Sequence, residues 1–217
     1  MVLEKNNFII EYDERVKYIP DMINYLESKM DDIMYFFELY SFNSKIKIVI
    51  YNELELYKKH IEQFFEYYDY MCADTNDGNI NLLSLEAAHQ TKTHSTMTLD
   101  ELKKVVLHEF VHICQQEKEI EHIDDDVAWF WEGLATNIGN PDNYEVINIS
   151  ATNEDINNFN CSANNYPISF TVVKYMVEKY SHEQILEYIK FPSKLLDDSE
   201  QILNGAREWS NQKNKVI

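Results

Sequence analysis

The segment that decides the fold reads TLDELKKVVLHEFVHICQQEK and runs from Thr98 to Lys118. Thr98 and Glu101 form a capping-box pattern, in which the threonine side chain accepts a backbone N–H bond and the glutamate reaches back to the helix start. Apolar residues flank the central His-Glu-Phe-Val-His sequence at helical spacing. The pattern predicts a long helix, largely buried, that begins at Thr98 and ends near Lys118.

Three residues of this helix, His108, Glu109 and His112, form the pattern HExxH. Residues four apart lie on one helical face, so both imidazoles can bind one metal ion while Glu109 faces a water molecule on that ion. Such polar side chains are costly on a buried helix unless a metal ion or hydrogen bonds satisfy them. We therefore predict a Zn²⁺ site with Glu109 as the general base; the alternative is a structural helix with hydrogen-bonded core histidines.

A catalytic zinc ion usually has three protein ligands, so a third is required. Gln115 and Lys118 stand where the metzincin pattern has Gly and His, which excludes that class. Glu132 follows His112 by twenty residues, within the sequence WEGLA on a second predicted helix. Two helices joined by a short acidic loop can pack antiparallel and present Glu132 to the histidine pair. The competing ligands are Glu117, Glu119, Glu121 and His122.

Together, the two motifs resemble the glutamate zincins, which include thermolysin and the zinc aminopeptidases, and more closely the compact peptidase MA-like domains. In these families HExxH is followed by a W-x-E-G-x-A-like segment. The matching residues here are Trp129, Glu132, Gly133 and Ala135. The specific match covers about Val105 to Ala135, and the order of elements is similar from about Lys45 onward. The resemblance implies a zinc metallopeptidase that hydrolyses a peptide or protein substrate.

The resemblance also implies a tyrosine or histidine on a later helix that donates a hydrogen bond to the tetrahedral intermediate. Tyr166, directly before Pro167, is the predicted donor, because the run Tyr-x-x-Ser-Phe-x-x-Val-x-Tyr is similar to the corresponding helix of peptidase MA-like domains. Tyr144 and Tyr175 are the alternatives, and packing is the other role open to Tyr166.

Two features depart from the families named above. Thermolysin-like enzymes have an aspartate four residues after the glutamate ligand, where this chain has Thr136, so the residue that orients a zinc-bound histidine is not identified from the sequence. The Gly-x-Met-Glu-Asn segment with which aminopeptidases recognise a free amine is also missing. We therefore expect an endopeptidase, with the strand Ile80–Leu85 as a candidate edge for an extended peptide.

The fold class predicted for residues 1–217 is α+β and zincin-like. A small N-terminal mixed sheet with helices, over about 1–97, and a helical C-terminal lobe, over about 98–217, would flank an active-site cleft. Predicted strands are Phe8–Tyr12, Lys45–Tyr51, Tyr68–Ala73 and Ile80–Leu85. Further helices are predicted from Pro20 to Tyr40, Glu53 to Tyr67, Asp124 to Ile138 and Ser199 to Asn211, and from starts at Pro167 and at the Ser181 capping box. The acidic run at Asp124 suits a helix N-terminus better than calcium, because EF-hand spacing is missing.

Composition restricts the function classes. Nineteen Lys and Arg against 38 Asp and Glu give a net charge of -19, so we expect no nucleic-acid partner. Neither a membrane-length apolar run nor a signal-peptide pattern occurs, so we expect no membrane partner and a cytoplasmic location. The three cysteines, Cys72, Cys114 and Cys161, are widely spaced and are predicted to be buried apolar residues.

The alternative function is a catalytically silent or regulatory module that binds metal or peptide on the same fold. Glu109 discriminates between the enzyme and the silent module. A member of the fold that had lost catalysis but kept its metal would lose Glu109 first, because this residue binds no metal. Glu109 is intact, which favours an enzyme.

Overall fold

The computed structural model describes residues 1–64, 66–122, 127–142, 144–159 and 165–214. They form an α+β protein with a five-stranded mixed sheet and a helical C-terminal part. The chain divides into two compact units, Met1–Gln116 and Glu117–Ile217. The first unit contains most of the HExxH helix.

The described part of the first unit contains the sheet and four helices that lie wholly or mainly within it. The strands are β1 (Val2–Lys5), β2 (Phe8–Glu11), β3 (Ile46–Tyr51), β4 (Ala73–Asp74) and β5 (Ile80–Leu83). The helices are α1 (Ile19–Phe36), α2 (Leu54–Ile61), α3 (Leu85–Ala88) and α4 (Leu99–Lys118). The described part of the second unit contains α5 (Ala128–Gly139), α6 (Asn153–Asn157), α7 (Tyr166–Lys179), α8 (His182–Lys190) and α9 (Pro192–Lys213).

Strand order in the sheet is β1-β2-β3-β5-β4. The strands β2, β3 and β5 are parallel, whereas β1 and β4 run antiparallel to their neighbours. All four residues of β5 are buried, and β5 lies between β3 and β4. The prediction that this strand is an edge open to a peptide is therefore wrong, because its hydrogen-bonding groups already serve two neighbouring strands.

The core of the first unit forms where apolar helix faces meet the sheet. Alternate residues of β3, Ile46, Ile48 and Ile50, are buried, as the period of a half-buried strand requires. Helix α4 joins this core through Phe110, whose ring lies 6.4 Å from that of Phe8 in β2 and 5.9 Å from that of Phe42. The sheet thus supports the helix that carries HExxH.

Several local predictions are confirmed and others fail. Helix α1 has Pro20 in its first turn, α7 has Pro167 there, and Ser181 caps α8 with a complete capping box. Helix α2 ends at Ile61 rather than near Tyr67, and α9 begins at Pro192 rather than Ser199. The strand predicted at Tyr68–Ala73 is reduced to Ala73–Asp74.

Two further predictions concern the cysteines and membrane contact. Cys114 is buried as predicted, Cys72 is partly exposed, and Cys161 and the Asp124–Asp126 run lie outside the described residues. Among the described helices, none is both long and apolar enough to span a bilayer.

Candidate metal centre

The start of α4 is fixed by the predicted capping box. The backbone N–H of Glu101 donates to Thr98 Oγ1 at 3.2 Å, and Glu101 Oε2 accepts from the backbone N–H of Thr98 at 2.7 Å. These bonds favour the charged carboxylate, so the pKa of Glu101 lies below its ordinary value. The cap sets the first turn of the helix, and the apolar side chains after it set the face that enters the core.

His108 and His112 lie one turn apart on α4, as their spacing predicts. Their Nε2 atoms are 3.1 Å apart, and the ring planes are nearly perpendicular at 80°. Two nitrogen ligands of a tetrahedral zinc ion, each about 2.0–2.1 Å from the metal, lie about 3.3–3.4 Å apart. Both residues are half-buried. The two ring nitrogens therefore already converge at close to the separation that a shared ion needs.

Glu109 is 7% exposed, between the two histidines along the helix. The negative charge of Glu109 is one of the causes that raise the pKa values of neighbouring groups in the first unit. Burial raises the pKa of the Cys72 thiol to about 12, with the charge of Glu109 as a second cause, although part of Cys72 remains accessible. Glu109 is therefore a carboxylate largely shielded from bulk water beside the two histidines.

Gln115 is a residue of this site that the sequence analysis did not identify. It is 3% exposed, and its Oε1 lies 2.7 Å from Nδ1 of His112, three residues earlier on α4. Residues three apart on a helix are neighbours, so the spacing itself was the available signal. The sequence analysis used Gln115 only to exclude the metzincins, and it sought a partner for the histidines near position 136.

The third predicted ligand, Glu132, lies on α5, whose place in the second unit is fixed by close packing on α7. A Cβ atom at Gly133 would lie 2.4 Å from Val173 Cγ2 and 2.7 Å from the backbone oxygen of Ser169. The hydroxyl of Ser169 donates to the backbone oxygen of Trp129 at 2.6 Å. The glycine of the WEGLA sequence is thus required by helix packing, and it fixes the rotation of α5.

A further bond joins the two helices. Asn137 Nδ2 donates to the backbone oxygens of Gly133 at 2.8 Å and Phe170 at 3.0 Å. Thr136, where thermolysin-like enzymes have aspartate, is buried, and its hydroxyl donates to the backbone oxygen of Glu132 at 2.8 Å. The hydrogen bond of the Thr136 hydroxyl therefore stays within α5.

The three predicted ligands are divided between the two units. His108 and His112 lie on α4 in the first unit, Glu132 lies on α5 in the second unit, and all three residues are half-buried. Their joint role as metal ligands stays a prediction.

The competing ligands have other surroundings. Glu121 Oε2 accepts from the backbone N–H of Ser193 at 3.1 Å, and this bond lowers the pKa of Glu121. Glu119 Oε2 lies 3.1 Å from His122 Nδ1, and Glu117 is exposed. None of these side chains belongs to a potential ligand group within the described ranges.

The tyrosines predicted as hydrogen-bond donors to the intermediate have different contacts. Tyr166 is the first residue of α7, half-buried, with its ring 5.8 Å from that of Phe159. The ring of Tyr144 lies 6.0 Å from that of Phe170. The ring of Tyr175 lies 6.0 Å from those of Tyr180 and Trp209, which is a packing role. The role of Tyr166 as the donor stays a prediction.

Neither a comparison with protein-family models nor one with curated proteins finds a match to this chain.

Proposed function

We propose that this chain is a zinc-dependent peptidase of the glutamate-zincin type. His108, His112 and Glu132 hold the ion, and Glu109 is the general base. The zincin-like character of the fold is part of the same proposal. It is supported by the residues themselves and their surroundings, since two imidazoles and a carboxylate are a known ligand set of catalytic zinc.

The observation that carries the proposal is the convergence of the two Nε2 atoms on α4, 3.1 Å apart. Imidazole nitrogen binds Zn²⁺ well, and the separation is near that of two ligands on one tetrahedral ion. In this proposal, Glu132 of the second unit supplies the carboxylate. Three protein ligands leave a fourth position open, which is the mark of a catalytic rather than a structural zinc site.

When bound, zinc would supply an acidified water molecule and a Lewis acid for the substrate carbonyl. Glu109 then accepts the proton of the attacking water and passes it to the amine that leaves, so its carboxylate is regenerated. The position of Glu109 beside the two histidines of α4, largely shielded from bulk water, supports this role. Tyr166 is the proposed hydrogen-bond donor to the oxygen of the tetrahedral intermediate. The substrate class is an internal peptide bond of a peptide or protein.

Substitution Glu109→Gln tests the proposal, because it removes the base and leaves the proposed ligands intact. We expect hydrolysis of a mixture of synthetic peptides to fall by about 100-fold or more, with about one zinc ion per chain retained. Glu117→Gln is the matched control, since Glu117 is an exposed glutamate of the same helix, and it should leave turnover unchanged.

The outcomes separate the enzyme from the silent module. Wild-type protein that binds zinc but hydrolyses no peptide supports a metal-binding module and contradicts the peptidase. Turnover that survives in Glu109→Gln contradicts the role of Glu109 as the base.

A further inference from the structure

We infer that Gln115 is the positioning residue that holds His112 in the orientation and tautomer that a metal ion requires. The inference rests on the proposed zinc site. Gln115 is thus the residue that orients a histidine, a role that Thr136 does not fill.

The direction of the hydrogen bond follows from the atoms involved. Gln115 Oε1 is an amide oxygen that carries no proton, so at 2.7 Å it accepts from Nδ1–H of His112. A neutral imidazole has one N–H, so Nε2 of His112 keeps its lone pair. The lone pair of Nε2 is what binds the metal, and the bond from Nδ1 fixes both the tautomer and the ring orientation.

Burial makes this bond effective. Gln115 is 3% exposed, so bulk water competes weakly for its amide oxygen. The partner also lies three residues away on the same helix, where it needs no second element to place it. Thermolysin-like enzymes use a carboxylate for this purpose; here a neutral amide orients the ring without adding negative charge.

The two histidines are consequently unequal before metal binds. With the proton of His112 on Nδ1, the 3.1 Å contact between the Nε2 atoms requires that Nε2 of His108 donates and Nε2 of His112 accepts. His112 therefore presents the Nε2 lone pair that a metal ion needs, and the Nε2 proton of this contact lies on His108. Gln115 therefore determines which of the two histidines presents an Nε2 lone pair to a metal ion.

The test compares Gln115→Met, which keeps the length of the side chain and removes the acceptor, with Gln115→Glu, which keeps an acceptor oxygen. Gln116→Met is the matched control, because it makes the same chemical change at the next, exposed position of α4. Zinc affinity is measured by chelator competition. We expect about 10- to 100-fold weaker binding in Gln115→Met, wild-type or tighter binding in Gln115→Glu, and no change in Gln116→Met.

A second measurement needs no metal and separates this inference from the proposed function. Imidazole ¹⁵N spectra of the zinc-free protein should show His112 protonated at Nδ1 in the wild type and in Gln115→Glu, and no longer held in that form in Gln115→Met. Protonation of His112 at Nε2 in the wild type overturns the inference, as does wild-type zinc affinity in folded Gln115→Met. A wild-type chain that binds no zinc, but shows the Nδ1–H form at His112, contradicts the proposed function alone.

Discussion

Helices α4 and α5 carry the proposed ligands, and their functional faces are fixed in different ways. On α4, helical spacing alone sets the separation of His108 and His112, and Gln115 orients His112 from within the same helix. On α5, Gly133 sets the rotation of Glu132 through close packing on α7. One half of the candidate site is therefore a local property of the sequence, and the other half depends on tertiary packing.

The largest expected effect comes from removing one ligand on each helix. We expect His112→Ala and Glu132→Ala each to weaken zinc binding by more than about 100-fold, because loss of an orienting partner alone is worth about 10- to 100-fold. Isothermal titration with zinc measures the affinity. Glu121→Ala is the control from the competing ligands, and its affinity should match the wild type. If Glu132→Ala binds as the wild type does, α4 carries the metal without α5.

The packing of α5 on α7 is tested by Gly133→Ala. In an ordinary helix interior this change stabilises by about 0.5–1 kcal/mol, because glycine has excess conformational freedom. Here the new methyl group would meet Val173 Cγ2 at 2.4 Å and a backbone oxygen at 2.7 Å. We therefore expect the opposite sign, a loss of about 1–3 kcal/mol in the free energy of unfolding, measured by urea denaturation.

Gly205→Ala is the matched control for this prediction. Its new methyl group would meet the hydroxyl end of the Tyr175 side chain, with no backbone atom among its close contacts. We expect a smaller loss at Gly205 than at Gly133. Equal losses at the two positions would show that rigid packing of α5 on α7 is not what Gly133 provides.

The smallest expected effect comes from the cap of α4. Thr98→Ala removes the side-chain acceptor for the backbone N–H of Glu101 and should lower the free energy of unfolding by about 1 kcal/mol. Zinc affinity should not change, because ten residues of helix, about 15 Å, separate Thr98 from His108. Ser181→Ala at the start of α8 makes the same change in the second unit and should cost a similar amount. A loss of zinc affinity in Thr98→Ala would mean that the geometry of the histidine pair depends on the helix end.

The features that the sequence could predict are those set by local spacing, and those set by tertiary packing could not be predicted. The starts of α4 and α8 were predictable because a capping box depends on residues three apart, and the histidine pair because it depends on residues four apart. The interior position of β5 in the sheet was not predictable, because strand order is decided by contacts between residues distant along the chain.

Helix α2 shows why a regular pattern can mislead. Phe64 continues the helical spacing after Ile61, but its side chain is 45% exposed. An exposed side chain adds little burial to stabilise further turns, and most helical stability in proteins comes from packing. Gln115 was missed for a different reason, since its local signal was present but the partner was sought on another helix.

The central claim is that one zinc ion is bound by two imidazoles of α4 and one carboxylate of α5. X-ray absorption at the zinc edge, on wild-type protein loaded with one equivalent of zinc, tests it most directly. We predict a first shell of two imidazole nitrogens and light oxygen ligands at about 2.0–2.2 Å, and one imidazole fewer in His112→Ala. A zinc shell that contains sulfur, or that is unchanged in His112→Ala, would contradict the claim.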